Sequence, residues 1–483
     1  MAGTISSAGI GSGLDVTSII ASLMKVEQQP LTNLQTVATT MQTKLSAFGQ
    51  MQSLVSSFRD AATQLKSADA YKVTSATSSD TTAVGASSTT KAVTGSYAVS
   101  VSSLSSTQST VGASGQFSAG TDVVGTGSIT ISLGTWSTGQ TAFTAKPGAT
   151  DVVIPIDASN NTLTAIRDKI NAANAGVSAT IVTDASGSRL AFQSSATGAS
   201  NGFKVTVADD DATNSDATGL SRLAFDPPNA SNGMTLTQSA ANTKATINGI
   251  AVETAGNTLT DVVDGMTFNL SKVTTSPVTV AVTRNTDSVK SLITNFVASY
   301  NALSSFLSSA TQYDSSTKTA ALLQGDATTT SLQNQLRSAI SQGGTASAAF
   351  GTLSSMGLEF QKDGRLSIND TKLSAALAKL PDLATAMSNN DLTTPTNNGF
   401  ATKIAAWADG LLSASGTLTG KTKSIQSQIN ANTKDQEQMS DRIAAIEKRI
   451  TAQYTALDTT MSNAKALSNY VTQQITTWNK STA

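Results

Sequence analysis

The sequence predicts an α+β multidomain protein whose terminal helices pair as a coiled-coil or helical-bundle stalk, with central, inserted antiparallel β-rich domains. Three observations predict it. Between residues 424 and 478 apolar side chains recur every three or four positions without a Pro or Gly, so the stretch reads as one long helix. Near the other end, Leu34, Val37, Met41, Phe48, Met51, Val55, Phe58, Ala62 and Leu65 repeat at the same spacing. From about residue 72 to residue 283 the texture becomes alternating Ser, Thr, Val and Gly, which suits strands and turns.

The long C-terminal stripe divides into heptads. With Ile429 at a, the apolar a and d positions include Ile425, Ile429, Met439, Ile443, Ile446, Ile450, Leu457, Leu467 and Val471, with polar breaks at Asn432, Gln436, Gln453 and Thr460. So narrow a seam needs a partner helix. The stripe from Leu34 to Leu65, broken only at Lys44 with Leu45 beside it, is the candidate. Replacing Ile443 and Ile446 together by Asp is expected to collapse such a stalk.

Composition excludes several classes of function. The 483 residues contain no Cys and no His, which removes a Ser/His/Asp triad, a thiolate nucleophile, a zinc cluster and an imidazole base. A formal net charge of -1 offers no basic footprint for a phosphate backbone, so nucleic acid is not an expected partner. No apolar run approaches the roughly eighteen residues of a membrane helix, so no membrane insertion is expected. The start MAGTISSAGIGSG lacks the basic head and apolar core of a cleaved signal, which by itself suggests the cytoplasm.

Taken in order, Gly9, Gly11 and Gly13 precede a short helix that Asp15 can cap, with Ile19, Ile20, Leu23 and Met24 on its apolar face and Pro30 ending it. Strands are expected at 96–101, 128–133, 152–156, 177–182, 189–193 and 203–207, with a helix at 162–173 among them. Asn248-Gly249 reads as a hairpin turn, and Gly265 as a turn before the next strand. The loop ADDDATNSDATG, with Asp209, Asp210, Asp211 and Asp216, lacks the spacing and closing Glu of a calcium loop. Helical texture returns after residue 285 with the stripe Val289, Leu292, Ile293, Phe296, Tyr300, Leu303 and Leu307, and Asp326 stands at the start of the next helix. Asp363-Gly364 then reads as a turn between two strands, followed by a helix capped by Asn369 or Asp370. GTLTGKT at 416–422 is one residue short of a phosphate-binding loop and reads as a joint between bundle helices. Trp136, Trp407 and Trp478 stand isolated, which gives no aromatic platform.

The stretch GIGSGLDVTSIIASLMKVEQQPLTNLQ, residues 9–35, resembles the opening of the flagellar filament-capping, or hook-associated protein 2, family. TLTAIRDKINAANAGVSATIV with RLAFQSSATGASNGFKVTV is similar to a module of flagellin and hook proteins, and ATINGIAVETAGNTLTDVVDGMTFNLSK with VTVAVT resembles that module's other form, including a helix start. MGLEFQKDGRLSINDTKLSAALAKLPDLATAM resembles the capping family's core.

With neither Cys nor His, no catalytic residue, metal or cofactor is expected, and the chain reads as a structural protein. The resemblance implies export through the flagellar secretion apparatus with a chaperone, and an extracellular place at the filament tip. There a homo-oligomeric ring, commonly a homopentamer, would retain flagellin and promote its folding and polymerisation. Four regions are expected: a terminal helical leg (1–33 and 455–483), mobile in the isolated protein, a helical bundle (34–71 and 284–454), a β-rich domain (72–107 and 237–283), and an inserted variable β-rich domain (108–236). Leu14, Ile19, Ile20, Leu23, Leu467 and Val471 would face the filament or neighbouring legs. A flagellin-like or hook-filament junction subunit is the alternative, and adhesion to host mucin or surfaces a secondary role.

Overall fold

With nothing to break it, the backbone after residue 416 stays helical for 65 residues, about 97 Å at the usual rise. This is a computed structural model, and it describes residues 15–229 and 231–481. Its helices are α1 (Val16–Glu27), α2 (Gln29–Lys66), α3 (Leu163–Ala172), α4 (Thr286–Thr311), α5 (Ala327–Ser341), α6 (Asp370–Leu377), α7 (Leu380–Ser388), α8 (Phe400–Leu412) and α9 (Thr417–Ser481). The chain divides into two compact units, a helical one of Met1–Tyr71 with Thr286–Ala483 and a β-rich one of Lys72–Asn285.

In the helical unit, Asp15 accepts a bond from the Ser18 amide at 2.9 Å and so caps α1. Pro30 falls in the first turn of α2, where its missing N–H costs nothing, and the joint between the two helices is Gln28. The lower half of α2 packs into a bundle core with α4 and α8. Fully buried Phe58 is its hub, with ring centroids 5.1 Å from Phe296, 5.8 Å from Tyr300 and 6.5 Å from Trp407. The Asp363-Gly364 turn is present between strands Leu358–Phe360 and Leu366–Ile368, with Gly364 at φ 83°. Its Gly364 carbonyl accepts from the buried Tyr300 hydroxyl at 2.9 Å. Of the two candidate caps for α6, Asn369 takes the role, its Oδ1 receiving the Lys372 amide at 3.2 Å.

The β-rich unit holds two separate cores, and among the described residues its strand pairings are antiparallel. The first lies between a five-stranded sheet, in the order Thr74–Ser78, Val278–Arg284, Gly95–Ser103, Thr243–Ile247, Ile250–Thr254, and a three-stranded sheet. Val99, Val101, Val280, Met266 and Phe268 fill it. The second is built on the strands Gly127–Trp136 and Gly202–Asp209, where Ile131 faces Val205 and Ile129 faces Val207. Alternate residues of each strand turn inward to meet Leu163, Ile166 and Ile170 of α3. Asn248 and Gly249 have φ of 50° and 83°, as a tight hairpin turn requires, and the Asn248 side chain accepts the Ala98 amide at 2.8 Å.

One expectation in this unit fails. The helix start implied by the second module's resemblance does not form: between Asn248-Gly249 and Gly265 the chain makes the strands Ile250–Thr254 and Thr258–Thr260, and Asp261 follows at φ 55°. Pairing of Leu259 with Phe268 puts Leu259 in the core at 1% exposure, so a strand buries more than a one-turn helix could.

Candidate functional site

The two stripes meet. Phe58 contacts Trp407, the Arg59 guanidinium lies 3.7 Å from Asp409, and the Lys421 ammonium sits 5.5 Å over the Phe48 ring. Positions therefore fall on α2 as they rise through α8 and α9, which makes the pairing antiparallel. α1 continues it farther along α9, with Val16 and Met24 buried.

Of the seam residues taken from the sequence, Phe48, Met51, Val55, Phe58 and Leu65 on α2 and Ile425 and Ile443 on α9 are buried. Leu34, Met41, Ile429, Met439, Ile446 and Ile450 are half-buried. Two positions lie elsewhere: Val37 is 43% exposed and Leu457 is 46% exposed. Their neighbours Ala38 and Tyr454 are half-buried instead, and Leu45, beside the exposed Lys44, packs on the bundle core. Val37 and Leu457 both stand at the edge of their stripe, where a two-helix pair covers one flank of a side chain and leaves the other in water.

Two of the four expected polar breaks, Asn432 and Gln436, lie in the seam, while Gln453 and Thr460 are exposed. Asn432 is only 6% exposed, and its Oδ1 accepts the Gln436 amide at 2.6 Å. At the root of α9, Lys421 bonds Asp326 at 2.8 Å. Burial pushes the Asp326 carboxyl upward, but Lys421 and the Thr329 bonds outweigh it and hold the carboxyl below its ordinary value. Asp326 also caps α5 through the Thr329 amide at 3.0 Å.

Beyond the partner provided by α1, the apolar stripe of α9 goes on. Leu457, Met461, Leu467, Val471, Ile475 and Trp478 are all exposed. At 100° per residue they fall within an arc of about 120°, and Asp458 and Lys465 fall outside it. On α1, Ile19 and Ile20 are half-buried and Leu23 is 41% exposed. Leu14 lies outside the described residues.

Nothing in the other candidates assembles a reaction centre. Among the described residues no group of three or more His, Cys, Asp or Glu could hold a metal, and no helix is long and apolar enough to cross a membrane. In the acidic loop, Asp209 accepts the Ser221 amide at 3.2 Å, and Asp211 and Asp216 bond Thr213 and Thr218. A groove of about 800 Å³ between α5 and α8, floored by Phe400 and Trp407, has Lys403 as its one ionisable lining residue. Sequence reasoning missed this groove, because Trp407 meets partners from 335–345 and 395–397 that no local pattern links to it.

Residues 12–108 match the family described as flagellar hook-associated protein 2 N-terminus, and residues 240–466 match its C-terminus. Flagellar hook-associated protein 2 of Escherichia coli strain K12 is 34% identical over 482 residues, covering 98% of both chains. The chain belongs to the flagellar hook-associated protein 2 family. The B-type flagellar hook-associated protein 2 of Pseudomonas aeruginosa is 33% identical, with 93% of each chain covered. The crystal structure of the D1-D2-D3 domains of the flagellar cap protein FliD from Escherichia coli superimposes with a TM-score of 0.60 at 30% identity, over 79% of this chain and 99% of that one. Family membership agrees with the α+β architecture of terminal helices around antiparallel β domains. A flagellin hook IN motif matches residues 138–196, the first of the two modules read from the sequence, while the second lies inside the C-terminus match.

Proposed function

We propose that this chain is the structural cap at the distal end of a bacterial flagellar filament, outside the cell, where it retains exported flagellin and promotes its folding and polymerisation. The observation that carries the reading is the antiparallel pairing of α1 and α2 with α9, which leaves the end of α9 with an exposed apolar stripe suited to another helical assembly. The cap acts by shape and surface rather than by chemistry. It forms a homo-oligomeric ring, in the proposal a pentamer, and reaches its place through the flagellar secretion apparatus with an export chaperone.

Ile19, Ile20, Leu23, Leu467 and Val471 are proposed to face the filament end or neighbouring legs. A ring and a filament of different symmetry cannot present identical contacts to every leg, so a docking surface of apolar side chains without directional bonds suits the task. Deleting the gene should give short or absent filaments and flagellin in the medium, both restored by the intact chain. Filaments of normal length in the deletion strain would refute the proposal. A chain truncated after residue 456 should fail to restore them while keeping a folded bundle by circular dichroism.

A further inference from the structure

The groove between α5 and α8 has a chemistry that asks for an occupant. Its floor is aromatic, with Phe400 buried and the Trp407 indole fixed by a 3.1 Å bond to Gln335 Oε1. Lys403 lines it, its side chain in no hydrogen bond or ion pair with any described residue, and no carboxylate lines the groove. An aromatic floor with one cation on its wall suits an aromatic side chain carried next to a carboxylate.

The same chain displays the complementary feature. Between α4 and α5 it forms a hairpin, with Tyr313 and Asp314 paired to Ala320 and Thr319. Tyr313 is 54% exposed, and Asp314 is the next residue. The Ser316 and Thr317 side chains and amides hold the Asp314 carboxyl down to about 2, so the hairpin presents an aromatic ring next to a permanently ionised group. Neither Tyr313 nor Asp314 lines the chain's own groove. The hairpin precedes the N-terminus of α5, while the groove is walled by that helix's C-terminal half, in a helix about 22 Å long.

We propose that the hairpin Tyr313–Ala320 of one copy seats in the Trp407 and Lys403 groove of the next copy. Donor and acceptor are different surfaces toward opposite ends of one helix, so within the proposed ring the contact is heterologous. It passes head to tail from copy to copy and closes when the rotation per step divides a full turn. Tyr313 stacks on the aromatic floor, Asp314 meets Lys403, and Lys318 at the hairpin turn stays with solvent. The inference rests on the proposed ring and names its contact.

The absence of cysteine makes the test clean. Full-length chains carrying Ser316→Cys in the hairpin and Ser338→Cys in the groove wall are mixed under a mild oxidant. The expected product is a mixed disulfide between the two variants that neither gives alone, and Tyr313→Ala should suppress it. Charge reversal supplies the second arm: Lys403→Glu and Asp314→Lys should each weaken assembly, read by sedimentation, by about tenfold, and the two together should recover most of it. No mixed disulfide and no effect of either reversal, while the wild-type chain still assembles, overturns the contact and leaves the ring standing. A wild-type chain that stays monomeric at tens of micromolar overturns both.

Discussion

Ile443→Ala separates the two parts of the α2–α9 pairing. Ile443 is 7% exposed, between the half-buried Met439 and Ile446, and it lies outside the bundle core, whose last members on α9 are Ile425 and Ile429. Removing three buried carbons from such a site costs roughly 2 to 3 kcal/mol, toward the low side of the range for interiors, because a two-helix seam can partly collapse on the gap. That loss falls on the local opening of the distal pair and not on the bundle. Amide exchange in 16–31 and 436–458 should therefore accelerate by roughly 30- to 150-fold. Amides of α4 and α8 should exchange as in the parent chain. Equal acceleration in α4 and α8 would show that pair and bundle open as one unit. No acceleration in 16–31 would show that Ile443 does not hold the two helices together.

Asn432→Ile should raise the stability of the distal pair by about 1 kcal/mol, because a buried polar residue in a seam specifies register at a cost; slower exchange in 436–458 is the readout, and unchanged or faster exchange contradicts it. Lys421→Met should destabilise the helical unit at neutral pH. A depressed carboxyl such as Asp326 contributes its stability above the unfolded value near pH 4 and loses it as pH falls through the folded value. The difference between parent and variant in urea should thus shrink progressively as the pH is lowered below the unfolded value, and a constant difference would contradict the ion pair. Gly357→Ala should cost about 2 kcal/mol, since φ is 90° and the added carbon would lie 2.6 Å from the Leu373 amide nitrogen and 2.8 Å from the Asn369 carbonyl. A urea midpoint equal to the parent's would show that the turn relaxes freely.

The parts of the fold that could be read from the sequence are those whose signal is local. The 3.5 to 3.6 spacing announced both stripes, Asn248-Gly249 and Asp363-Gly364 announced their turns through positive φ, and Asp15 and Asp326 announced helix starts. Errors arose where two neighbouring residues compete for one inward position. Ala38 is half-buried where Val37 was expected, and Tyr454 where Leu457 was, and only the opposite helix decides between them. Thr258–Thr260 failed for a related reason: its strand exists because Phe268 and Leu270 lie alongside, across a turn whose geometry composition does not reveal. The groove was invisible because its walls come from three separate stretches of chain.

The seam also shows why the end of the helical pair should depend on something outside it. As far as Met41 and Ile429 the two helices are covered by the bundle, and third and fourth elements share the burial. Past the Asn432–Gln436 bond, among the described residues, α1, the first turns of α2 and α9 remain, and two helices cannot cover each other's flanks. Leu23, Val26 and Val37 on one side and Leu457 and Met461 on the other stay in water. Each half-exposed Leu or Val withholds on the order of 1 kcal/mol that full burial would release, while every ordered residue costs about 1 to 2 kcal/mol of backbone entropy. An isolated pair is therefore close to balance along this stretch. A partner helix laid on the stripe from Leu457 to Trp478 tips that balance without any new directional bond, and the same surface can accept partners at slightly different angles.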